Sequence, residues 1–400
     1  MQQQDGLLSR LRRGHEQLVL DLLRQHGPLS RGELGARCGL SRTTLYDIVG
    51  ALLANGAIVA SAPEAAQRRR GRPVERLALN PGAGHAIGID FARRAVHVAA
   101  VNVAHEVVGS ASEPHGPDLG WEQRIELAQH LVGTLAGDSL GLGALSAIGV
   151  GVVGPVGRQG DGPGGDSRWE ALPPLLRERF GVPVLVDNNT RLAALAEATW
   201  GAAAGGGDVL YLRLSHGVGG GLVVGGALHR GAYGLSGEFG HISVEPGGAP
   251  CECGGTGCLE TVASVGAVLG AFRAAGGRAD DVPSLAAAAR AGDSAALGVL
   301  DEVGTRVGTV LAAVSNAIGP GVIVLGGELA TVGEALTGAV QRALTARLLP
   351  ASRTRVDLRA AALGEVGAAL GGIALVLRES PLLSHYPVPP GLEEPGEDSP

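Results

Sequence analysis

His241 stands ten residues before Cys251, and Cys253 and Cys258 follow at once, giving the pattern H-x9-C-x-C-x4-C. One imidazole and three thiolates meet the tetrahedral preference of structural zinc. Gly254, Gly255 and Gly257 let the backbone turn tightly enough for Cys253 and Cys258 to converge. A closed four-ligand site leaves no position for a substrate, so the expected zinc is structural. It would also orient His241 and leave its second ring nitrogen free to face a neighbouring cleft. The plainer alternative is four residues with no metal. A second concentration of chemistry is Arg68-Arg69-Arg70-Gly71-Arg72-Pro73, whose guanidinium groups suit phosphates or a minor groove. Its plainer alternative is a solvated charge run.

Charge and cysteine usage bound what these groups serve. The net charge of −7 divides unevenly: residues 1–76 hold 12 Arg against 7 acids, and the remainder 20 Arg against 32 acids. All the basic residues are Arg. A basic head on an acidic body implies that the head alone meets a polyanion. Four cysteines in 400 residues cannot make a disulfide scaffold, and their clustering in a chain without a secretory signal favours metal. No apolar run is long enough to cross a bilayer, so a cytoplasmic protein with no membrane partner is expected. The acidic, Pro-rich stretch 386–400 is expected to be disordered.

The elements that must carry the arginines come first. Leu18, Val19, Leu22 and Leu23 line one face of a helix ending near Gly27-Pro28. Ser30 and Glu33 stand at capping-box spacing and open a short helix through Cys38. Gly39 supplies a turn, and Ser41 caps a third helix carrying Leu45, Ile48, Val49, Leu52 and Leu53. This is the helix-turn-helix pattern, and Arg42, Thr43, Thr44 and Tyr46 at the start of its third helix are the candidates to reach base edges. Strands at Ile58–Ala60 and Glu75–Leu79 flank Arg68, Arg69, Arg70 and Arg72, making a β-wing. Residues 1–80 therefore read as a winged helix-turn-helix domain that binds DNA, with a protein-contact surface as the alternative.

From residue 84 the texture changes to short β runs separated by Gly. Ala86–Asp90, Val96–Val103 and Glu106–Gly109 read as three consecutive strands, followed by Ala147–Val153 and Pro183–Val186. A second set reads Val209–Leu214 and Gly220–Val224, with a turn at Gly225-Gly226 and a later strand at Gly321–Leu325. The expected fold class is α/β: a duplicated βββαβα body with a ligand cleft between its halves.

Four segments then resemble one family in order and spacing. Residues 149–156 read GVGVVGPV, 186–189 read VDNN, 237–241 read GEFGH, and 251–260 read CECGGTGCLE. On these the chain is similar to the ROK family of sugar kinases and sugar-responsive repressors, over roughly residues 84–380. The resemblance implies an actin-like, hexokinase-like (ribonuclease H-like) body of two lobes. The first lobe would span 84–200, completed by a C-terminal helix near 364–379. The second would span 201–363 and hold the zinc loop and a dimer interface. The basic wing resembles the repressor branch.

The same resemblance assigns sugar contacts to Asn188, Asn189, Glu238, His241 and Glu260. It also implies that kinase chemistry is lost. The kinases carry Asp as base within an Asn-Asp pair, and here the pair is Asn188-Asn189; an amide cannot accept the proton. Their first phosphate loop, Asp-x-Gly-Gly-Thr, is replaced by Asp90-Phe91-Ala92-Arg93-Arg94. Their second, Gly-Thr-Gly, is replaced by Ser215-His216-Gly217. Arg191 stands where a small or amide residue is usual, and would reshape the pocket or bind an anion. The expected protein is a non-enzymatic, zinc-stabilised repressor, dimeric or larger, with operator DNA and a sugar as partners. The alternative is an active sugar kinase with an appended DNA-binding head.

Overall fold

The computed structural model describes residues 15–16, 18–23, 26–54, 56–61, 75–80, 85–102, 107–116, 118–136, 145–157 and 172–379. Arg68, Arg69, Arg70, Arg72 and the stretch 386–400 lie outside the described residues.

The head forms where local signals placed it. Ser30 accepts from the Glu33 amide at 3.2 Å, and the Glu33 carboxylate accepts from the Ser30 amide at 2.8 Å. That reciprocal cap starts the helix Arg31–Cys38, and Gly39 ends it at φ 66°. Ser41 Oγ accepts from the Thr44 amide at 3.1 Å and starts the helix Arg42–Ala54. Strands β1 (Leu29–Ser30), β2 (Ile58–Ser61) and β3 (Arg76–Leu79) pair antiparallel in the order β1-β3-β2. Leu34, Leu45, Ile48, Val49, Leu52, Ile58 and Leu77 make the core, each worth roughly 1.5–3 kcal/mol of burial. In the preceding helical residues the buried face is Val19, Leu20 and Leu23. Leu18 and Leu22, expected on that face, are respectively exposed and half-buried, because the core meets the helix one position further round.

The body holds two five-stranded sheets of the same plan. The first has β4 (His85–Phe91), β5 (Ala95–Asn102), β6 (Val107–Pro114), β7 (Leu145–Val152) and β8 (Val184–Asn188), in the order β6-β5-β4-β7-β8. The second has β9 (Val209–Leu214), β10 (Val218–Val224), β11 (Ala227–His229), β12 (Val322–Gly326) and β13 (Asp357–Ala360), in the order β11-β10-β9-β12-β13. In each, three antiparallel strands are extended by two parallel ones. The repeat is thus βββαβαβα, one strand–helix step longer than expected. Two edge strands of the second sheet escape sequence reading: three-residue β11, and β13 with its polar, largely exposed Asp-Leu-Arg-Ala.

Two helices tie the halves together by crossing over. The helix Asn189–Thr199 follows β8 of the first sheet, yet Leu192, Ala194 and Leu195 pack with Val209, Tyr211 and Val223 of the second. The helix Gly367–Glu379 follows the second sheet and packs Ala369, Leu370 and Ile373 against Ala86, Ala99 and Ala147 of the first. Small residues permit the approach: a Cβ on Gly88 would lie 1.8 Å from the Ala369 carbonyl oxygen, and one on Gly149 1.9 Å from that of Gly372. Buried Glu197 joins the two segments, accepting from the Ala202 amide at 2.7 Å and from the Ala362 and Leu363 amides at 2.9 Å each. Three backbone donors satisfy a polar group that burial would otherwise make costly.

Candidate metal centre and cleft site

The chain from Gly237 to Glu260 is built by close backbone approach. Gly237, at φ 98°, leaves no room for a side chain, since a Cβ would sit 2.3 Å from the Gly220 carbonyl oxygen. The Gly220 amide donates to the Gly237 carbonyl at 2.8 Å, so Glu238 leaves β10 at a fixed angle. A single turn, Phe239–His241, follows. The metal loop then closes on itself: the Cys251 amide donates to Gly255 O at 2.8 Å, and the Val244 amide to Gly257 O at 2.8 Å.

His241, Cys251, Cys253 and Cys258 each present a ligand atom, all within 4.8 Å of one another. Cys251 Sγ lies 3.6 Å from His241 Nδ1, and Cys253 Sγ 3.7 Å from Cys258 Sγ. The sulfurs are far too distant for a disulfide and close enough to share one ion. Burial, then the neighbouring thiols, pushes the Cys258 thiol up to about 12, while hydrogen bonds from the Gly255 amide and the neighbouring thiols lower that of Cys253. The cluster can hold a metal ion. Because Nδ1 faces the sulfurs, the other ring nitrogen of His241 is turned away from them.

Glu238 and Glu260 lie beside this cluster. Burial raises the Glu238 pKa; His241 and Arg191 act against that rise and Glu260 adds to it, which places these groups around one carboxyl. Glu260 Oε2 accepts from the Val218 amide at 2.7 Å, anchoring it to the loop Ser215-His216-Gly217. On the facing side, Asn189 Nδ2 donates to Asp90 Oδ1 at 3.2 Å, joining β8's exit to the end of β4. Burial raises the pKa of Asp90, with Arg213, His97 and the Asn189 amide opposing the rise.

Two residues expected to face a ligand turn out to be committed elsewhere. Asn188 caps the helix Asn189–Thr199, its Oδ1 accepting from the Thr190 and Arg191 amides at 2.9 and 3.1 Å. Its Nδ2 donates to Gly154 O at 2.8 Å. The guanidinium of Arg191 is buried against the Asp187 carboxylate and two backbone carbonyls.

One cleft residue was missed by sequence reasoning. Glu328, just after β12, accepts from Ser215 Oγ at 3.1 Å and lies 3.8 Å from His216 Nε2. Its 113-residue separation from Ser215 leaves no local signal by which it could have been found. A carboxylate therefore sits against the loop Ser215-His216-Gly217.

In the head, Arg42 and Thr43 are exposed. The Thr44 hydroxyl is engaged with Ser41 Oγ at 2.8 Å, so it is part of the cap. Tyr46 is 47% exposed, with the guanidinium carbons of Arg31 and Arg42 at 5.3 and 6.0 Å from its ring centre. Arg31 also pairs with Glu75 at 2.8 Å, and Glu33 with Arg76 at 3.5 Å. These two pairs tie the first of the two capped helices to the strand that returns from residues 62–74.

Residues 86–379 match the ROK family. The chain belongs to the ROK family. This ROK protein is 30% identical to the DNA-binding transcriptional dual regulator NagC of Escherichia coli, over 94% of this chain and 95% of NagC. That span takes in most of the residues before 86. It is 37% identical to a glucokinase of Halalkalibacterium halodurans, over 53% of this chain and 69% of the glucokinase. Among solved structures, a ROK family transcriptional regulator homologous to the E. coli MLC protein superposes with a TM-score of 0.77 at 25% identity, covering 93% of this chain and 96% of the regulator. The two-lobed actin-like body inferred from the sequence is that of the family. No helix among the described residues is long and apolar enough to cross a membrane.

Proposed function

We propose that this ROK protein is a sugar-responsive transcriptional repressor of carbohydrate-metabolism genes. The observation that carries the reading is the likeness to NagC and to the MLC-like regulator along nearly the whole chain, head included. Residues 1–80 form the DNA-binding domain. Arg42, Thr43 and Tyr46 read the major groove, Thr44 caps the reading helix, and Arg68, Arg69, Arg70 and Arg72 contact phosphates or the minor groove. The first lobe runs over 84–200 and is completed by the C-terminal helix; the second runs over 201–363. The second lobe pairs two copies and so two heads on a roughly palindromic operator.

A sugar binds between the lobes against Glu238, His241 and Glu260, with Asn189 and the remaining Asn188 N–H opposite. Zinc holds the loop that aims them. Tetrahedral zinc with ordinary bond lengths needs S···S and S···N separations of about 3.8 and 3.5 Å, and the 3.7 and 3.6 Å spacings fit. Sugar and operator then affect each other's affinity by the same factor.

Fluorescence anisotropy with DNA from the gene's own upstream region, at two salt concentrations and with a sugar panel, tests this. Specific binding weakened by one sugar is expected; absence of specific binding defeats the reading. Arg69→Ala and Arg70→Ala should weaken binding to every sequence and flatten the salt dependence by about one counterion each. Arg42→Ala should cost about 1–3 kcal/mol on the specific site and relax its sequence preference. Equal losses on specific and non-specific DNA in both groups would refute this division of labour.

The glucokinase likeness favours a second reading, a working sugar kinase. ATP turnover with hexoses is expected to be absent, and Asn189→Asp should not restore it. The new carboxylate would face buried Asp90, and Glu328 would still repel nucleotide phosphates from Ser215-His216-Gly217. Hexose-dependent ATP turnover by the wild-type chain would establish the kinase instead.

A further inference from the structure

Asp187, Arg191 and Arg230 form a charge cluster between the halves that the sugar and metal chemistry does not use. Arg191 is 1% exposed. Its Nε donates to Asp187 Oδ1 at 2.7 Å, and Nη2 lies 2.6 Å from the same oxygen. Nη2 also donates to Val156 O at 2.9 Å, while Nη1 donates to Gly234 O. Asp187, equally buried, gives its second oxygen to Arg230 Nε at 2.5 Å.

The partners come from opposite sides of the cleft. Asp187 and Val156 follow or end strands of the first sheet, whereas Arg230 and Gly234 lie just after β11 of the second. The two loops touch directly: Gly234, at φ 75°, would place a Cβ 2.6 Å from Val156 O. The Ser236 amide donates to Arg230 O at 3.1 Å and closes the loop. That loop runs without interruption into Gly237 and Glu238.

We propose that Asp187, Arg191 and Arg230 form an interlobe latch that positions Glu238 for the effector. The proposal rests on the cleft being the sugar site. A guanidinium removed from water is stable only while its donors are matched, and losing one partner strands a buried charge. The latch therefore has two states: closed with every one of these bonds made, or open with the charges hydrated. Intermediate positions leave donors unmatched. Closed, it fixes residues 230–237 against residues 154–157 and sets where the Glu238 carboxyl stands relative to Asn189. Arg191 is accordingly a positioning residue, not a ligand contact.

The full chain with Arg191→Met, and separately Arg230→Gln, is followed by hydrogen–deuterium exchange and by calorimetric titration with unphosphorylated hexoses, pentoses and N-acetylhexosamines. Amides of residues 231–241 should exchange about tenfold faster in both variants, as a loss of ~1.4 kcal/mol of local closure produces, while β9 and β12 keep their wild-type rates. For a sugar that wild type binds, Kd should rise about tenfold, the same free energy, and Arg191→Lys should recover part of it because it still pairs with Asp187. Should Arg191→Met fail to fold, the partly exposed Arg230 carries the test through Arg230→Gln. Wild-type exchange across 231–241 in every variant that folds would overturn the latch. A wild-type protein that binds none of these sugars, with faster exchange in the variants, would overturn the sugar assignment and retain the latch.

Discussion

Cys258→Ser is expected to strip the metal and unfold the second half of the body. Cys258 is the buried member of the cluster, 3.7 Å from Cys253, and bridges antiparallel to Ser243. A structural zinc contributes ~10–16 kcal/mol of apparent binding energy at pH 7, and a preformed site rarely exists in the unfolded chain. Removing one of four ligands should therefore cost on the order of 5 kcal/mol, a large share of a domain's stability. Metal analysis should return about one zinc per wild-type chain and little in the variant, and thermal unfolding should shift to match. Chelation of the wild type should reproduce that shift. A variant with wild-type stability would remove the metal from the fold. Glu238 and Glu260 flank this loop, so sugar affinity should fall before the protein unfolds.

Gly149→Ala is expected to be nearly as damaging, for a reason unrelated to chemistry. Its added methyl would lie 1.9 Å from the Gly372 carbonyl oxygen, an atom held by the helix Gly367–Glu379. Relief requires that helix to move, and it carries Leu370 and Ile373 of the core shared with β4 and β5. A cost of about 3 kcal/mol or more is expected, at the upper end of overpacking, read from the midpoint of urea unfolding. A midpoint equal to wild type would show that the helix can shift freely. The same helix meets Leu192 at Gly371, where a Cβ would lie 1.8 Å from the Leu192 carbonyl oxygen. Gly149 and Gly371 thus set how closely the helix Gly367–Glu379 approaches β7 and the helix that begins at Asn189.

These variants separate two kinds of glycine in this chain. Gly39 at φ 66° and Gly237 at φ 98° serve unusual backbone angles. Gly88, Gly149 and Gly371 lie in regular strands and a helix, and their use is the absence of a side chain. Composition alone, with 67 Gly and 3% aromatics, implied a body of small residues but not which of them mark helix contacts.

What the sequence determined by itself is local or repeated. The caps at Ser30 and Ser41 and the turn at Gly39 depend on residues three or four apart, so the helices Arg31–Cys38 and Arg42–Ala54 were readable, while the buried face before them lies one position further round than periodicity implied. The metal ligands lie within eighteen positions and converge as their spacing implied. Most of the duplicated strands were visible because β runs and Gly turns recur in the same order; short β11 and polar β13, both at sheet edges, escaped.

The tertiary structure alone brought Arg191 to its backbone carbonyls and Glu328 to the Ser215 loop. Arg191 looked like a ligand group because a charged side chain beside a sugar motif is free until its partners are known. Besides Asp187, four residues before it, those partners are carbonyls 35 and 43 residues away, which no pattern in residue type encodes. Asn188, a sugar contact by resemblance, also caps the helix that begins beside it, a short-range bond of the same kind as the Ser30 and Ser41 caps. Glu328 reached the Ser215 loop through the pairing of β12 with β9. Short-range hydrogen bonds follow from spacing; long-range ones follow from which sheet edges and loops the fold brings together, and that is where the cleft acquired its charges.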